Sequence, residues 1–148
     1  MMQLSQKCQY ALRAMYELAI RFGRGPASVS EVAAAQAIPP KFLELILGQL
    51  RRCGLVISRR GSQGGYELAC HPREATVGQV IRLIEGPLAP VSCVAGEAEP
   101  DCPLHGRCAF MGLWQRASEA ISGVYDNTSF EDLLAEQQAG AETPNYCI

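Results

Sequence analysis

A mainly α-helical chain carrying one small β-hairpin is predicted by three features of the sequence. Successive stretches repeat apolar residues at helical spacing, with Gly and Pro between them. A single pair of short strand-like runs flanks the loop Gly61-Ser62-Gln63-Gly64, and the longest apolar stripe comes late, from Phe110 to Val124. With 148 residues, 48% of them hydrophobic, the chain can build one cored domain plus an oligomerisation arm.

The first helix is expected from about Ser5 to Phe22, where Ala11, Leu12, Met15, Leu18, Ala19 and Phe22 share a face and Gly23, Gly25 and Pro26 end the run. Ser30 followed by Glu31 is expected to open a short second helix with Val32, Ala33 and Ala37 inward, stopping near Ile38. Pro39 and Pro40 make the turn, because a proline at the first helical position gives up only an N–H that would be unpaired there.

A third helix, Lys41 to Cys53, is expected to bury Phe42, Leu43, Ile46, Leu47 and Leu50. Lys41, Glu44, Gly48, Gln49, Arg51 and Arg52 then face outward, and Gly54 stops the helix. Two short helices joined by a tight turn, the second polar and basic outside, form a helix-turn-helix. Leu55 to Arg59 and Gly65 to Ala69 then form a hairpin wing with Arg59 and Arg60 at its tip.

Thr76-x-x-Gln79 matches a capping box and opens a fourth helix with Val77, Val80, Ile81 and Ile84 inward, ended by Gly86-Pro87. Phe110, Leu113, Trp114, Ala117, Ile121 and Val124 form the stripe of a long fifth helix, either the lid of the core or a dimer contact. Thr128-x-x-Glu131 is expected to cap a last short helix, with a flexible tail after it. The predicted architecture is a winged helix-turn-helix plus a long C-terminal dimerisation helix. Its segments are a DNA-binding domain at 1–86, a cysteine loop at 87–108, the dimerisation and terminal helices at 109–139, and a tail at 140–148.

Charge is segregated along the chain. Residues 1–73 hold ten Lys and Arg against four Asp and Glu, and residues 74–148 hold three against eleven, which together give the net charge of −2. A basic first half matches a polyanionic partner, double-stranded DNA, and four arginines within ten residues around the helix-turn-helix and wing strengthen that reading. No apolar run approaches the roughly 20 residues of a membrane span. No signal-peptide core is visible, so a cytoplasmic protein is expected. No Ser/His/Asp or paired-carboxylate constellation suggests an enzyme, and His71 is expected to be a surface residue.

Three of the seven cysteines fall in CVAGEAEPDCPLHGRC, at Cys93, Cys102 and Cys108. Gly96, Pro100, Pro103 and Gly106 between them exclude a regular helix or strand, so the thiolates would have to converge through a folded loop that suits a soft metal or an iron-sulfur cluster. His105 would extend the set as C-x2-H-x2-C. A structural zinc on Cys93, Cys102, His105 and Cys108, a disulfide, and unligated thiols are the other readings, and spacing alone leaves the kind of site open.

Several segments together carry a family resemblance. They are Tyr10-Ala-Leu-Arg-Ala14, Ser30-Glu-Val-Ala33, Phe42-Leu-Glu44, Leu50-Arg-Arg-Cys-Gly-Leu-Val56 and Arg60-Gly-Ser-Gln-Gly-Gly-Tyr66, followed by the cysteines leading into Leu113-Trp114. From about Leu4 to Leu134 the chain resembles the Rrf-type winged-helix transcription regulators, which include the IscR-, NsrR- and RirA-like iron-sulfur regulators. The resemblance implies a homodimer with crossing fifth helices and a recognition helix in each of two successive major grooves. It puts Glu44 at a base-reading position, Lys41 at a base or phosphate contact and Arg60 in the minor groove. With Gln49, Arg51, Arg52, Arg59, Ser62, Gln63 and Gly64, these are the candidate DNA-binding residues.

The resemblance also implies a 4Fe-4S or 2Fe-2S cluster on Cys93, Cys102 and Cys108. The gap from Cys93 to Cys102 is three residues longer than in the IscR pattern, and Met111 stands where IscR-like proteins have a histidine ligand. The arrangement is closer to NsrR and RirA, which would bring Gln9 or Cys8 near the cluster. His105, Gln9, Cys8 and Met111 are the candidates for the remaining ligand. The expected function is a dimeric, sequence-specific repressor whose DNA affinity changes when the cluster is lost, oxidised or nitrosylated. The alternative is a cluster-free regulator of the same fold that responds through thiols, zinc or a protein partner.

Overall fold

A computed structural model describes residues 3–96 and 102–142. Its first half is three helices and a hairpin: α1 (Gln6–Ile20), α2 (Val29–Gln36), α3 (Pro40–Arg52), β1 (Val56–Arg59) and β2 (Gly65–Leu68). Next come α4 (Val77–Glu85), a 3-10 turn at Ser92–Val94, α5 (Met111–Asp126) and α6 (Phe130–Glu142). This is a winged helix with a C-terminal helical arm, as the sequence predicts. Among the described residues no helix is long and apolar enough to cross a membrane.

Helix α1 is the central element. Ser5 caps it by accepting from the Cys8 N–H at 3.1 Å. Its Ala11, Ala14, Met15 and Leu18 pack with Val32, Leu43, Ile46, Leu47, Leu50, Val56, Val80 and Phe130 in one core. Each large side chain buried there contributes about 1.5–3 kcal/mol from removal of apolar surface from water. The buried Glu17 carboxylate accepts from Arg21 Nε at 2.7 Å and from Gln36 Nε2 at 2.9 Å, which ties α1 to the end of α2.

The cap of helix α2 lies two residues earlier than expected. Ser28, not Ser30, forms the capping box: its hydroxyl accepts from the Glu31 N–H at 3.2 Å, and the Glu31 carboxylate accepts from the Ser28 N–H at 2.7 Å. These bonds hold the Glu31 carboxyl below its usual range, the Ser28 backbone N–H contributing most. Ala37 then turns left-handed (φ 49°), and Pro40 sits in the first turn of α3.

Phe42 is the second departure. The buried face of α3 is Leu43, Ile46, Leu47 and Leu50, and Phe42, about 100° round the helix from Leu43, is 59% exposed. A helical run with apolar residues at both 42 and 43 admits two phases. Packing against α1 selects the phase that buries Leu43.

The hairpin pairs antiparallel with Val56 opposite Leu68 and Arg59 opposite Gly65. Its root is anchored by the Ala27 N–H to Tyr66 carbonyl bond at 2.9 Å and the Tyr66 N–H to Ala27 carbonyl bond at 2.8 Å. Thr76 and Gln79 form the predicted capping box on α4. The start of α6 is pinned beside it, because the Val77 N–H donates to the Thr128 carbonyl at 2.9 Å and the Phe130 N–H to the Ala75 carbonyl at 3.0 Å.

The cap of α6 is Ser129 with Asp132, one residue beyond the expected Thr128 and Glu131: the Asp132 N–H donates to Ser129 Oγ at 3.1 Å and the Ser129 N–H to Asp132 Oδ2 at 2.8 Å. The helix runs through Gly140 to Glu142, into the stretch expected to be tail; residues 143–148 lie outside the described ones.

Candidate DNA-binding surface and cysteine loop

Helix α3 and the wing form one outward surface. Lys41, Glu44, Arg51 and Arg52 are exposed along α3, and Arg59, Arg60, Ser62 and Gln63 are exposed at the wing. The cations differ in what holds them. Arg51 Nη1 donates to Ser58 Oγ at 3.2 Å, joining α3 to β1. Arg59 Nε pairs with Glu67 Oε1 across the hairpin at 2.8 Å, whereas Arg60 at the tip has no ion-pair partner among the described residues.

Gln49 is half-buried and its amide donates to the Leu83 carbonyl at 3.4 Å, so the structure sets it against α4 rather than among the exposed side chains. Gly64 is at the inner side of the tip, where a Cβ would overlap the Arg59 carbonyl. Two exposed side chains on the same surface fall outside the residues expected to bind DNA: Phe42 and, at 71% exposure, Leu45. Leu45 falls outside the Leu43, Ile46, Leu47 and Leu50 face, so its exposure follows only once packing has fixed the helix phase.

Cys93 is exposed on the 3-10 turn, and Cys102 and Cys108 are half-buried on the approach to α5. The approach is a string of turns: the His105 N–H donates to the Cys102 carbonyl at 3.0 Å and the Met111 N–H to the Cys108 carbonyl at 3.2 Å. His105 is exposed and Met111 half-buried. Three soft sulfur donors fit a soft metal or cluster by chemistry. Among the described residues, however, no three His, Cys, Asp or Glu are gathered as a metal site, and residues 97–101, between Cys93 and Cys102, lie outside them.

Cys8 lies on α1. It is fully buried with Val77, Ile81 and Leu88, and its thiol is pushed up to about 11, by burial first and then by the neighbouring Glu85 carboxylate. Gln9 beside it is exposed, and its side-chain amide donates to the Leu4 carbonyl at 3.1 Å. Cys70 is also raised, by burial and then by Glu74, and Cys53 is exposed. His71 lies half-buried against Phe22 with ring centroids 5.0 Å apart, which suits a packing role.

A family profile decides the identity. Residues 4–136 match the Rrf2 family, described as iron-dependent transcriptional regulators. The chain belongs to the Rrf2 family. As an Rrf2 protein it is a DNA-binding transcriptional regulator and not an enzyme.

Among its Rrf2 relatives, the transcriptional regulator CymR of Bacillus subtilis is 39% identical over 142 residues, covering 93% of this chain and 96% of that protein. The solved structure of B. subtilis CymR, described as the global cysteine regulator, superposes with a TM-score of 0.76 at 38% identity, over 92% of this chain and 98% of that one. The structure of T. potens IscR gives a TM-score of 0.77 at 32% identity, over 98% and 95%.

Proposed function

We propose that this Rrf2 protein is a homodimeric, sequence-specific repressor whose grip on DNA is set by an iron-sulfur cluster held at Cys93, Cys102 and Cys108. Lys41, Glu44 and Arg52 on α3 meet the major groove, and Arg60, Ser62 and Gln63 on the wing meet the adjacent minor groove. Arg51 braces α3 against the wing and Arg59 braces the two strands of the wing, while both add positive charge. The seam for the second copy is the outer stripe of α5, where Phe110, Leu113 and Val124 are exposed. It continues into an apolar groove of about 860 Å³ between α1, α5 and α6.

The observation that carries the reading is the position of the cysteine loop. Cys102 and Cys108 lead into α5, and α5 is tied to α4 through Arg82–Asp126 and to the start of the loop segment through Ser118 Oγ, which donates to the Leu88 carbonyl at 2.9 Å. A bound cluster would supply a centre sensitive to oxygen, nitric oxide and iron supply. A change in loop order then shifts α5, and α5 shifts the spacing of the two recognition helices. The iron-dependent description of the family supports this reading.

The relation to CymR supports a second one, in which the thiols respond without a cluster. Protein purified without oxygen separates them by its visible absorption and its iron, sulfide and zinc content per chain, read together with DNA affinity before and after oxygen. Brown protein with matched iron and sulfide, and an affinity that changes on oxidation, is the expected result. Colourless protein whose affinity depends on thiol oxidation favours the second reading. Affinity that never changes removes both.

A further inference from the structure

Helix α3 carries an exposed apolar patch in addition to its polar face. Leu45 is 71% exposed and Phe42 59% exposed, and at i and i+3 they adjoin on the outer side of α3 as a contiguous apolar patch rather than as single scattered residues. One turn on from Leu45 stands Gly48, in the middle of the helix. A glycine there weakens a helix relative to alanine. Packing does not demand it, because a Cβ at Gly48 would meet nothing within 4 Å. Lys41, Leu45, Gly48 and Arg52 succeed one another at i, i+4, i+7 and i+11, so they share one stripe.

From this arrangement we infer that Leu45, flanked by Phe42, recognises the 5-methyl groups of thymines in the major groove, and that Gly48 is bare so that the helix backbone can sit close to the base edges. The inference rests on the proposed DNA-reading role of α3 and adds a base preference to it. Among the four bases only thymine presents a methyl group in the major groove, and an aliphatic side chain is the natural partner for it. The cations at both ends of the stripe, Lys41 and Arg52, favour a polyanion over an apolar protein partner, since an apolar patch framed by positive charge complements the phosphate-lined groove.

The test uses the full-length protein and duplexes enriched from a random pool. Each half-site thymine is replaced in turn by deoxyuridine, which removes only the methyl group. At one position per half-site this weakens binding about four-fold, the cost of unburying one methyl-sized group. In Leu45→Ala the same replacement changes nothing. Gly48→Ala raises the melting temperature but weakens binding to the enriched sites, opposite movements that a structural glycine would not give.

Sequence-specific binding that is indifferent to deoxyuridine at every half-site thymine overturns the inference and leaves the DNA-reading role of α3 standing. Equal deoxyuridine sensitivity in wild type and Leu45→Ala also overturns it. If the pool yields no enriched sequence, the DNA-reading role fails and the inference with it.

Discussion

Arg82 on α4 holds Asp126, the last residue of α5, with both ends of its guanidinium: Nη2 donates to Oδ2 at 2.7 Å and Nη1 to Oδ1. Gly78 makes room for this grip, since a Cβ there would overlap the Asp126 carboxylate. The hydrogen bonds from Arg82, and then its charge, hold the Asp126 carboxyl below the usual range. Both side chains are about two-fifths exposed, so solvent screens the pair and its worth is about 0.2–1 kcal/mol. A depressed carboxylate stabilises above its unfolded pKa, and that contribution is lost as pH falls through the lowered folded value. Asp126→Asn is therefore expected to lower the melting temperature slightly at neutral pH and to lose that difference in acid. Thermal melts of both proteins from pH 7 to pH 2 check it; a deficit that persists at pH 2 would point to packing instead.

The wing depends on Gly65 for close approach. A Cβ at Gly65 would overlap the Ala27 carbonyl, part of the rung that anchors the hairpin to the entrance of α2. Both sides of that contact are backbone, so relief requires breaking the Ala27–Tyr66 rung. Gly65→Ala is expected to cost about 1–3 kcal/mol. Gly61→Ala, at φ 116° but with open space around its Cβ, costs about 1 kcal/mol through backbone strain alone. Urea melts of the two variants give the order, and equal costs would contradict the close-approach argument.

Cys8 should behave as an unreactive thiol. It is fully buried, and with its pKa near 11 almost none of it is thiolate at neutral pH. Alkylation at pH 8 followed by peptide mapping is expected to modify Cys53 and Cys93, which are exposed, well before Cys8. In denaturant Cys8 should catch up. The raised thiol stabilises the fold below the unfolded pKa, and that stabilisation disappears as pH rises from about 9 to about 11. Modification of Cys8 as fast as Cys53 in folded protein would mean that the α1–α4 packing opens readily.

Phe130, followed by Leu133 and Leu134 at i+3 and i+4, is fully buried in the main core beside α1. Phe130→Ala is expected to cost about 3–5 kcal/mol and to free the start of α6. Chemical denaturation measures the cost, and reduced protection from hydrogen exchange in α6 shows where it falls.

The contrast between Phe130 and Thr76 explains which parts of the structure are legible in the sequence. The Thr76–Gln79 box is local, and three residues suffice to specify it. Phe130 is buried because the Ala75–Phe130 and Val77–Thr128 bonds bring α6 against α4, a contact between residues more than fifty positions apart. Competing local signals account for the other departures. Ser28 and Ser30 are both plausible caps, and only Ser28 has Glu31 at the third helical position. Phe42 and Leu43 compete for one face, and tertiary packing decides. The exposed basic surface of α3 and the wing is legible because its arginines are close in sequence, whereas the exposure of Leu45 is not, because an apolar residue gives no sign of being outward until the helix phase is known. The cysteine loop has no periodicity to read.

Arg60 and Arg59 are adjacent, and their partners make them unequal. Arg59 is engaged by Glu67 at 2.8 Å, which offsets part of its charge and fixes its direction along the hairpin. Arg60 is exposed at the tip without an ion pair among the described residues, free to meet a phosphate or enter the minor groove. Removing one cation from a DNA phosphate lowers the slope of log K against log salt by about 0.9, and a substitution in a dimer removes two at once. Arg60→Ala is expected to weaken binding to duplex DNA strongly and to flatten the slope by nearly two, while Arg59→Ala, which also frees an acidic Glu67 at the interface, weakens binding with a smaller change in slope. Fluorescence-anisotropy titrations from about 50 to 200 mM salt, the range over which such interactions are readily resolved, measure both. Equal slopes for the two variants would show that the Glu67 pair breaks on binding and that both arginines reach the backbone.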